Sequence, residues 1–178
     1  MTAYDIPTKE KFLKEDFYNS LRWLFEGAIA WKANFDEPQR TRHQGVLGLF
    51  TSLVQARALY EFFYGSAGGD NARFSDFVGR WKPTQTDLYA NYMTPGKPAN
   101  KRVFHLVYER SKQAGGSEAD RKRLEDKVFL IATDIRELCE QFVRNVRPEF
   151  NAAVNYALSA AHVEAQKAAE EYNIANPF

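Results

Sequence analysis

Polar chemistry concentrates in one short stretch of this 178-residue chain, directly after the helix-breaking run Pro95-Gly96-Lys97-Pro98. The stretch reads Asn100-Lys101-Arg102-Val103-Phe104-His105-Leu106-Val107-Tyr108 and offers an amide, two cations and an imidazole. The free N–H groups at a helix start and the neighbouring cations both favour an anion. Together with Lys97, these residues predict a contact for a phosphate, as in a nucleotide or RNA. The alternative is that the cations are simply solvated.

His105 is the residue of this stretch suited to act as a general acid or base. Asn100 and His105 are five positions apart, which is about 140° around a helix, so they converge only on a ligand that lies across the helix end. The competing interpretation is a half-buried histidine that donates to a backbone carbonyl.

Arg57 lies in the most apolar part of the chain, Gln55-Ala56-Arg57-Ala58-Leu59-Tyr60-Glu61-Phe62-Phe63. A buried charge is unfavourable unless it is paired, and Glu61 at i+4 is the nearest candidate partner. The structural hypothesis is an internal Arg57–Glu61 pair. The functional hypothesis places Arg57 in a pocket shared with His105.

Other kinds of catalytic site find little support. His43, His105 and His162 fall in different predicted helices without an HExxH motif, so no metal site is predicted. There is no GxSxG elbow, P-loop or dinucleotide fingerprint, so no cofactor is predicted. Cys139 is the single cysteine and is predicted to be a small buried apolar residue, which fits a reducing compartment.

The elements that must position these residues are helical. Apolar residues recur every three to four positions in five long segments, which predicts an all-α, up-and-down helical bundle with a short helical insertion at about 65–97. We expect one domain, 1–178, with a core rich in aromatic rings. The long helices are predicted at about 15–33, 41–64, 99–112, 117–145 and 149–172, and the short ones at about 72–78 and 86–92.

Two of these helices carry further predictions. The helix at 41–64 is apolar on nearly every side, which favours a place in the middle of the bundle. The last helix becomes alanine-rich toward its end. Small residues allow another helix to approach closely, so this end is expected either to contact a second copy or to be solvated.

The charge and hydropathy of the chain bear on its cellular location and its partners. The formal net charge is +1, but Lys97 to Lys127 holds nine Lys and Arg residues against five Asp and Glu residues. No apolar run approaches the ~18 residues of a membrane span, and the first residues do not resemble a secretory leader. We therefore expect a cytoplasmic protein without a membrane partner.

Two segments resemble the HEPN superfamily of small helical-bundle proteins, particularly its uncharacterised bacterial members. Ala56-Arg57-Ala58-Leu59-Tyr60-Glu61-Phe62-Phe63 is similar to their "ARNLxDFF" helix, and the stretch from Asn100 to Tyr108 is similar to their "NKxxxHLTY" run. The resemblance reaches from about Leu47 to Arg110. Together with the basic charge at this helix start, it makes Arg57, Lys97, Asn100, Lys101, Arg102 and Tyr108 the candidate binding residues.

The resemblance also implies an activity. Ribonucleases of that superfamily carry Arg-x(4–6)-His near a helix start and work as metal-independent dimers. Asn100 and His105 occupy matching positions, but Ala99 stands where the arginine belongs. We therefore expect a non-catalytic, HEPN-like homodimer that binds RNA, a nucleotide phosphate or a protein partner. The alternatives are a metal-independent endoribonuclease of toxin or defence type, with His105 catalytic, and a structural dimerisation module.

Overall fold

Asp5 begins the first helix of the computed structural model, which describes residues 4–34, 39–65, 72–94, 97 and 127–175. Its carboxylate accepts a hydrogen bond from the Thr8 N–H at 2.9 Å and so caps the free end of the helix. Helix α1, Ile6–Phe12, continues through a π-helical turn, Leu13–Phe17, into helix α2, Tyr18–Asn34. The helix predicted from about residue 15 therefore starts two turns earlier, because the cap was not recognised in the sequence.

Three further α-helices complete the described bundle. They are α3, Gln39–Tyr64, α4, Val128–Asn145, and α5, Asn151–Glu171. The insertion holds a 3₁₀ turn, Phe74–Asp76, and a π-helical turn, Tyr89–Met93; another 3₁₀ turn, Pro148–Phe150, precedes α5. The predicted all-α bundle is confirmed. The predicted helix at 99–112 and the start of the helix predicted at 117–145 lie outside the described residues.

Helix directions follow from which side chains meet. Gly27 of α2 lies opposite Gly48 of α3, and Phe17 lies 5.2 Å from Phe62, so these helices are antiparallel. Tyr60 of α3 meets Asp134, and Phe63 meets Phe142, so α3 and α4 run in the same direction. The end of α3 and the start of α4 therefore lie at opposite ends of the bundle.

Aromatic rings fill the end of the bundle where α3 and α4 finish. Phe142 of α4 is central, because it contacts rings from α3, from the π-helical turn after α1 and from the insertion. The buried rings of this cluster are Phe17, Phe62, Phe63, Phe77, Phe142 and Phe150. The expectation of a core rich in aromatic rings is confirmed.

The first part of the insertion is less helical than predicted. Val78 forms an isolated antiparallel bridge with Val146, and the Arg147 N–H donates to the Phe77 carbonyl at 2.9 Å. These bonds occupy backbone groups that a continuing helix would need, so only Phe74–Asp76 is helical within the predicted segment 72–78. The 3₁₀ turn is therefore docked against the α4–α5 connection.

Two predictions about exposure are wrong. Helix α3 is not covered on all sides, because Leu47 is 67% exposed and Val54 is 41% exposed. The alanines of α5 are not a solvated or second-copy surface. Ala161, Ala165 and Ala169 are at most 2% exposed, and α5 packs closely along α2. Small side chains thus serve helix contact within the chain.

Candidate functional site

Only two of the predicted site residues fall within the described part of the chain, namely Arg57 and Lys97. The others lie outside the described residues, and these are Asn100, Lys101, Arg102, His105 and Tyr108. The shared pocket of Arg57 and His105 therefore stays a prediction. The site can be built from Arg57 and the elements that surround it.

Arg57 lies on the surface of α3 and is paired along its own helix. Its Nε donates to Glu61 Oε1 at 2.8 Å, and the two side chains are 35% and 53% exposed. The predicted partner is confirmed, but the pair is not internal. Arg57, Glu61 and Tyr64 are spaced i, i+4 and i+7, so they follow one stripe of the helix. The guanidinium is therefore held at a partly solvated face.

Three tyrosines pack together beside this pair, and we call Tyr60, Tyr64 and Tyr89 the tyrosine cluster. The Tyr64 and Tyr89 ring centroids are 4.7 Å apart, and the Tyr60 ring lies 5.2 Å from Tyr89. Tyr60 is fully buried, whereas Tyr64 and Tyr89 are half-buried. The cluster joins α3 to the insertion and leaves part of two rings at the surface.

Asp134 of α4 anchors the cluster through one oxygen. Its Oδ2 accepts from the Tyr60 hydroxyl at 2.5 Å and from the Thr86 hydroxyl at 2.7 Å. The Tyr64 hydroxyl donates to the Thr84 carbonyl at 2.9 Å. Hydrogen bonds to a charged acceptor are stronger than neutral ones. The bonds of Tyr60 and Thr86 to Asp134, together with that of Tyr64 to Thr84, therefore fix the second half of the insertion against both α3 and α4.

The hydroxyls of the cluster stay protonated near neutral pH. Burial, followed by the Asp134 charge, raises the pKa of Tyr60 strongly and raises the pKa of Tyr64 to about 12. Burial and the nearby Glu61 carboxylate raise the pKa of Tyr89. None of the three is activated as a base or nucleophile. The cluster is suited to packing and to contact with a planar ligand.

Lys97 follows the tyrosine cluster along the chain. The π-helical turn that carries Tyr89 ends where the Thr94 N–H donates to the Tyr89 carbonyl at 3.3 Å. The Lys97 N–H then donates to the Thr94 carbonyl at 3.0 Å, and Lys97 is exposed. Lys97, the last described residue before the predicted phosphate contact, therefore follows a turn whose Tyr89 lies near Glu61.

The tyrosine cluster was missed by the sequence analysis. The spacing of Tyr60 and Tyr64 at i and i+4 was an available signal, because such residues neighbour each other on a helix. The contact with Asp134 had no local signal, since the two residues are 74 positions apart.

The described residues contain no group of three or more His, Cys, Asp and Glu side chains placed to hold a metal ion. No described helix has both the length and the apolar character required to cross a membrane.

Cys139 is fully buried in α4, as predicted, and burial strongly raises the pKa of its thiol.

Comparison of the chain with protein-family models, with curated proteins and with solved structures gives no match. The resemblance to the HEPN superfamily therefore stays a prediction from the two sequence segments quoted above.

Proposed function

We propose that this protein is a non-catalytic, HEPN-like helical bundle that binds single-stranded RNA through the face around Lys97, Asn100, Lys101, Arg102 and His105, with Arg57 and Tyr108 as further contacts. One observation carries the proposal. The partly exposed Arg57 lies on the same stripe of α3 as Tyr64, and Tyr64 packs on Tyr89 4.7 Å away. A cation and half-buried aromatic rings thus lie on one face of α3, about two turns apart and with Glu61 between them.

Cations and aromatic rings are complementary to the two parts of a single-stranded nucleic acid. Lys and Arg contact the phosphates, and aromatic side chains stack on the bases. The excess of Lys and Arg between Lys97 and Lys127 supports the phosphate part. Tyr64 and Tyr89 support the base part, because their hydroxyls stay neutral and each ring is partly accessible.

Binding without cleavage is favoured because Ala99 occupies the position that HEPN-like ribonucleases fill with arginine. His105 would then contact RNA without transferring a proton. Incubation of RNA with the protein in EDTA separates this proposal from the ribonuclease alternative. Cleavage that disappears in His105→Ala would overturn the non-catalytic proposal, whereas intact RNA agrees with it.

The binding test measures the affinity for a short fluorescent single-stranded RNA over a series of salt concentrations. The logarithm of affinity should fall with the logarithm of salt concentration, with a slope that weakens by about 0.7 for each phosphate-contacting cation removed. Arg57→Ala and the double variant Lys101→Ala/Arg102→Ala should bind more weakly, and His105→Ala should still bind.

Arg144→Ala is the matched control, because Arg144 is an exposed cation in the last turn of α4. It should leave the slope unchanged. If Arg144→Ala weakened the slope as much as Arg57→Ala, RNA binding would depend only on the overall charge of the protein. A lack of RNA binding at low salt would contradict the proposal and leave the protein-partner version.

We further propose a cytoplasmic homodimer, as the family resemblance implies. The outer face of α5 supports a contact between copies, because Tyr156 is 55% exposed and Val163 is 53% exposed one to two turns apart. The double variant Tyr156→Lys/Val163→Lys should lower the mass measured by light scattering. An unchanged mass would exclude this face as the dimer contact.

A further inference from the structure

The imidazole of His162 lies where three helices meet. Its ring centroid in α5 is 5.6 Å from that of Phe25 in α2, with the ring planes 32° apart. The Nε2 atom is sealed from solvent and has no hydrogen-bond partner among the described residues. A neutral imidazole has one nitrogen without a proton, but a protonated imidazole carries an N–H donor on both nitrogens. Protonation would therefore leave a buried donor without an acceptor.

Helix α4 contributes the charges that act on this ring. Within the described chain they are Arg136, which opposes protonation of His162, and Glu140, which favours it. Arg136 Nε is itself sealed without a hydrogen bond, and Glu140 Oε1 lies 3.5 Å from it. A second positive charge at His162 would therefore lie near a guanidinium whose Nε already lacks a hydrogen bond.

The other two helices at this meeting point carry charged side chains that pair with each other. On α2, Arg22 pairs with Glu26 at 2.8 Å. On α5, Lys167 pairs with Glu164 at 2.7 Å. Phe25 of α2 packs its ring against that of His162. The Glu26 and Glu164 carboxylates are thus each already paired with a cation.

We propose that His162 is a pH-dependent packing contact between α5 and the helices α2 and α4. The contact holds the three helices together while the ring is neutral, and protonation of the ring loosens their packing. The missing acceptor at Nε2 and the neighbouring guanidinium act in the same direction. Each makes the charged ring less compatible with the packed arrangement than with an open one. The packing of α5 therefore weakens in acid.

The direction of the pH effect follows from the same contacts. Burial and then the Arg136 charge lower the pKa of His162 below its ordinary value of 6.5. Because the pKa is lower in the folded than in the unfolded state, this stabilisation is complete above pH 6.5 and is lost as the pH falls through the folded-state value. Each unit of lowering corresponds to about a tenfold decrease in the folding equilibrium constant at acid pH.

The first test compares unfolding by denaturant at about pH 8 and about pH 5, on either side of the ordinary pKa of histidine. Between these two pH values the folding equilibrium constant should decrease by a larger factor in the unmodified protein than in the His162→Gln variant. An equal loss in both proteins would overturn the proposal, because carboxylates would then account for the whole effect.

The second test follows the His162 ring protons by NMR during an acid titration, which remains informative if His162→Gln fails to fold. Arg136→Gln should raise the pKa of His162, and Glu140→Gln should lower it. Arg144→Gln is the matched control on the same helix and should leave the pKa unchanged. A pKa of His162 at or above 6.5 in the unmodified protein would overturn the proposal.

Discussion

Gly27 and Gly48 face each other where α2 crosses α3, so closely that neither position has room for a methyl group. A Cβ atom on Gly48 would lie 2.6 Å from the Gly27 carbonyl oxygen, and one on Gly27 would lie 2.7 Å from the Gly48 carbonyl oxygen. Ser52 completes the crossing, because its hydroxyl donates to the Leu24 carbonyl at 3.1 Å. Close approach of two backbones thus sets the position of α3 and of the Arg57 face that it carries.

Gly48→Ala should destabilise the protein although alanine is the better helix former. The substitution gains up to about 1 kcal/mol in helix propensity. This gain is outweighed by overpacking against rigid backbone, which typically opposes folding by about 1–3 kcal/mol. We expect a net loss in the free energy of unfolding, measured with denaturant. Gly79→Ala is the control, since a Cβ there meets nothing within 4 Å. An equally stable Gly48→Ala would contradict the close crossing.

Tyr60→Phe should weaken the attachment of the insertion to the bundle. It removes the 2.5 Å hydrogen bond to Asp134, and a hydrogen bond to a charged group contributes about 1.5–3 kcal/mol. The free energy of unfolding should fall by a similar amount. Tyr4→Phe removes a hydroxyl from a ring that is 53% exposed and should have little effect. Equal stabilities of the two variants would count against the Asp134 anchor.

Alkaline pH should destabilise the protein through Tyr64. The pKa of Tyr64 is raised from 10.0 to about 12, mainly by burial. Since the folded-state pKa is the higher one, this stabilisation is fully present below pH 10 and is lost as the pH rises through about 12. Denaturation monitored from neutral to alkaline pH should therefore be less pH-dependent in Tyr64→Phe. If Tyr64→Phe has the same alkaline profile as Tyr4→Phe, which changes a 53% exposed ring, the assignment is wrong.

Cys139 should resist thiol reagents until the bundle opens. Its side chain is 0% exposed, and burial strongly raises the pKa of its thiol. Reaction depends on the thiolate and on access. Alkylation measured by mass spectrometry should be slow in buffer and rapid in denaturant. Rapid alkylation of the folded protein would show that α4 opens readily.

Glu61→Gln and Arg57→Ala should have opposite effects on RNA affinity. Glu61→Gln removes the carboxylate that neutralises Arg57, so it should strengthen binding, whereas Arg57→Ala should weaken it. Exposed ion pairs contribute about 0–1 kcal/mol to stability, so Glu61→Gln should unfold at nearly the same denaturant concentration. Reduced RNA affinity in both variants would indicate that the pair acts structurally.

Local patterns in the sequence were sufficient for several elements. Helix α4 falls within the helix predicted at 117–145 from apolar residues that recur every three to four positions. Five such residues are Val128, Ile131, Ile135, Leu138 and Phe142, and all five are buried. Arg57 and Glu61 were predicted to pair because residues four apart on a helix are neighbours. Both results depend only on helix geometry, which a short segment contains in full.

Tertiary structure alone decided the features that join distant parts of the chain. The sequence could not show that Leu47 is exposed while Ala165 is buried, because burial depends on which helix covers a face. Nor could it pair Tyr60 with Asp134, since their contact arises only when α3 and α4 run side by side. The types and spacing of the residues determined the helices. The Gly27–Gly48 crossing and the docked insertion determined which side chains share a surface, because contact between helices depends on shape complementarity across the whole bundle.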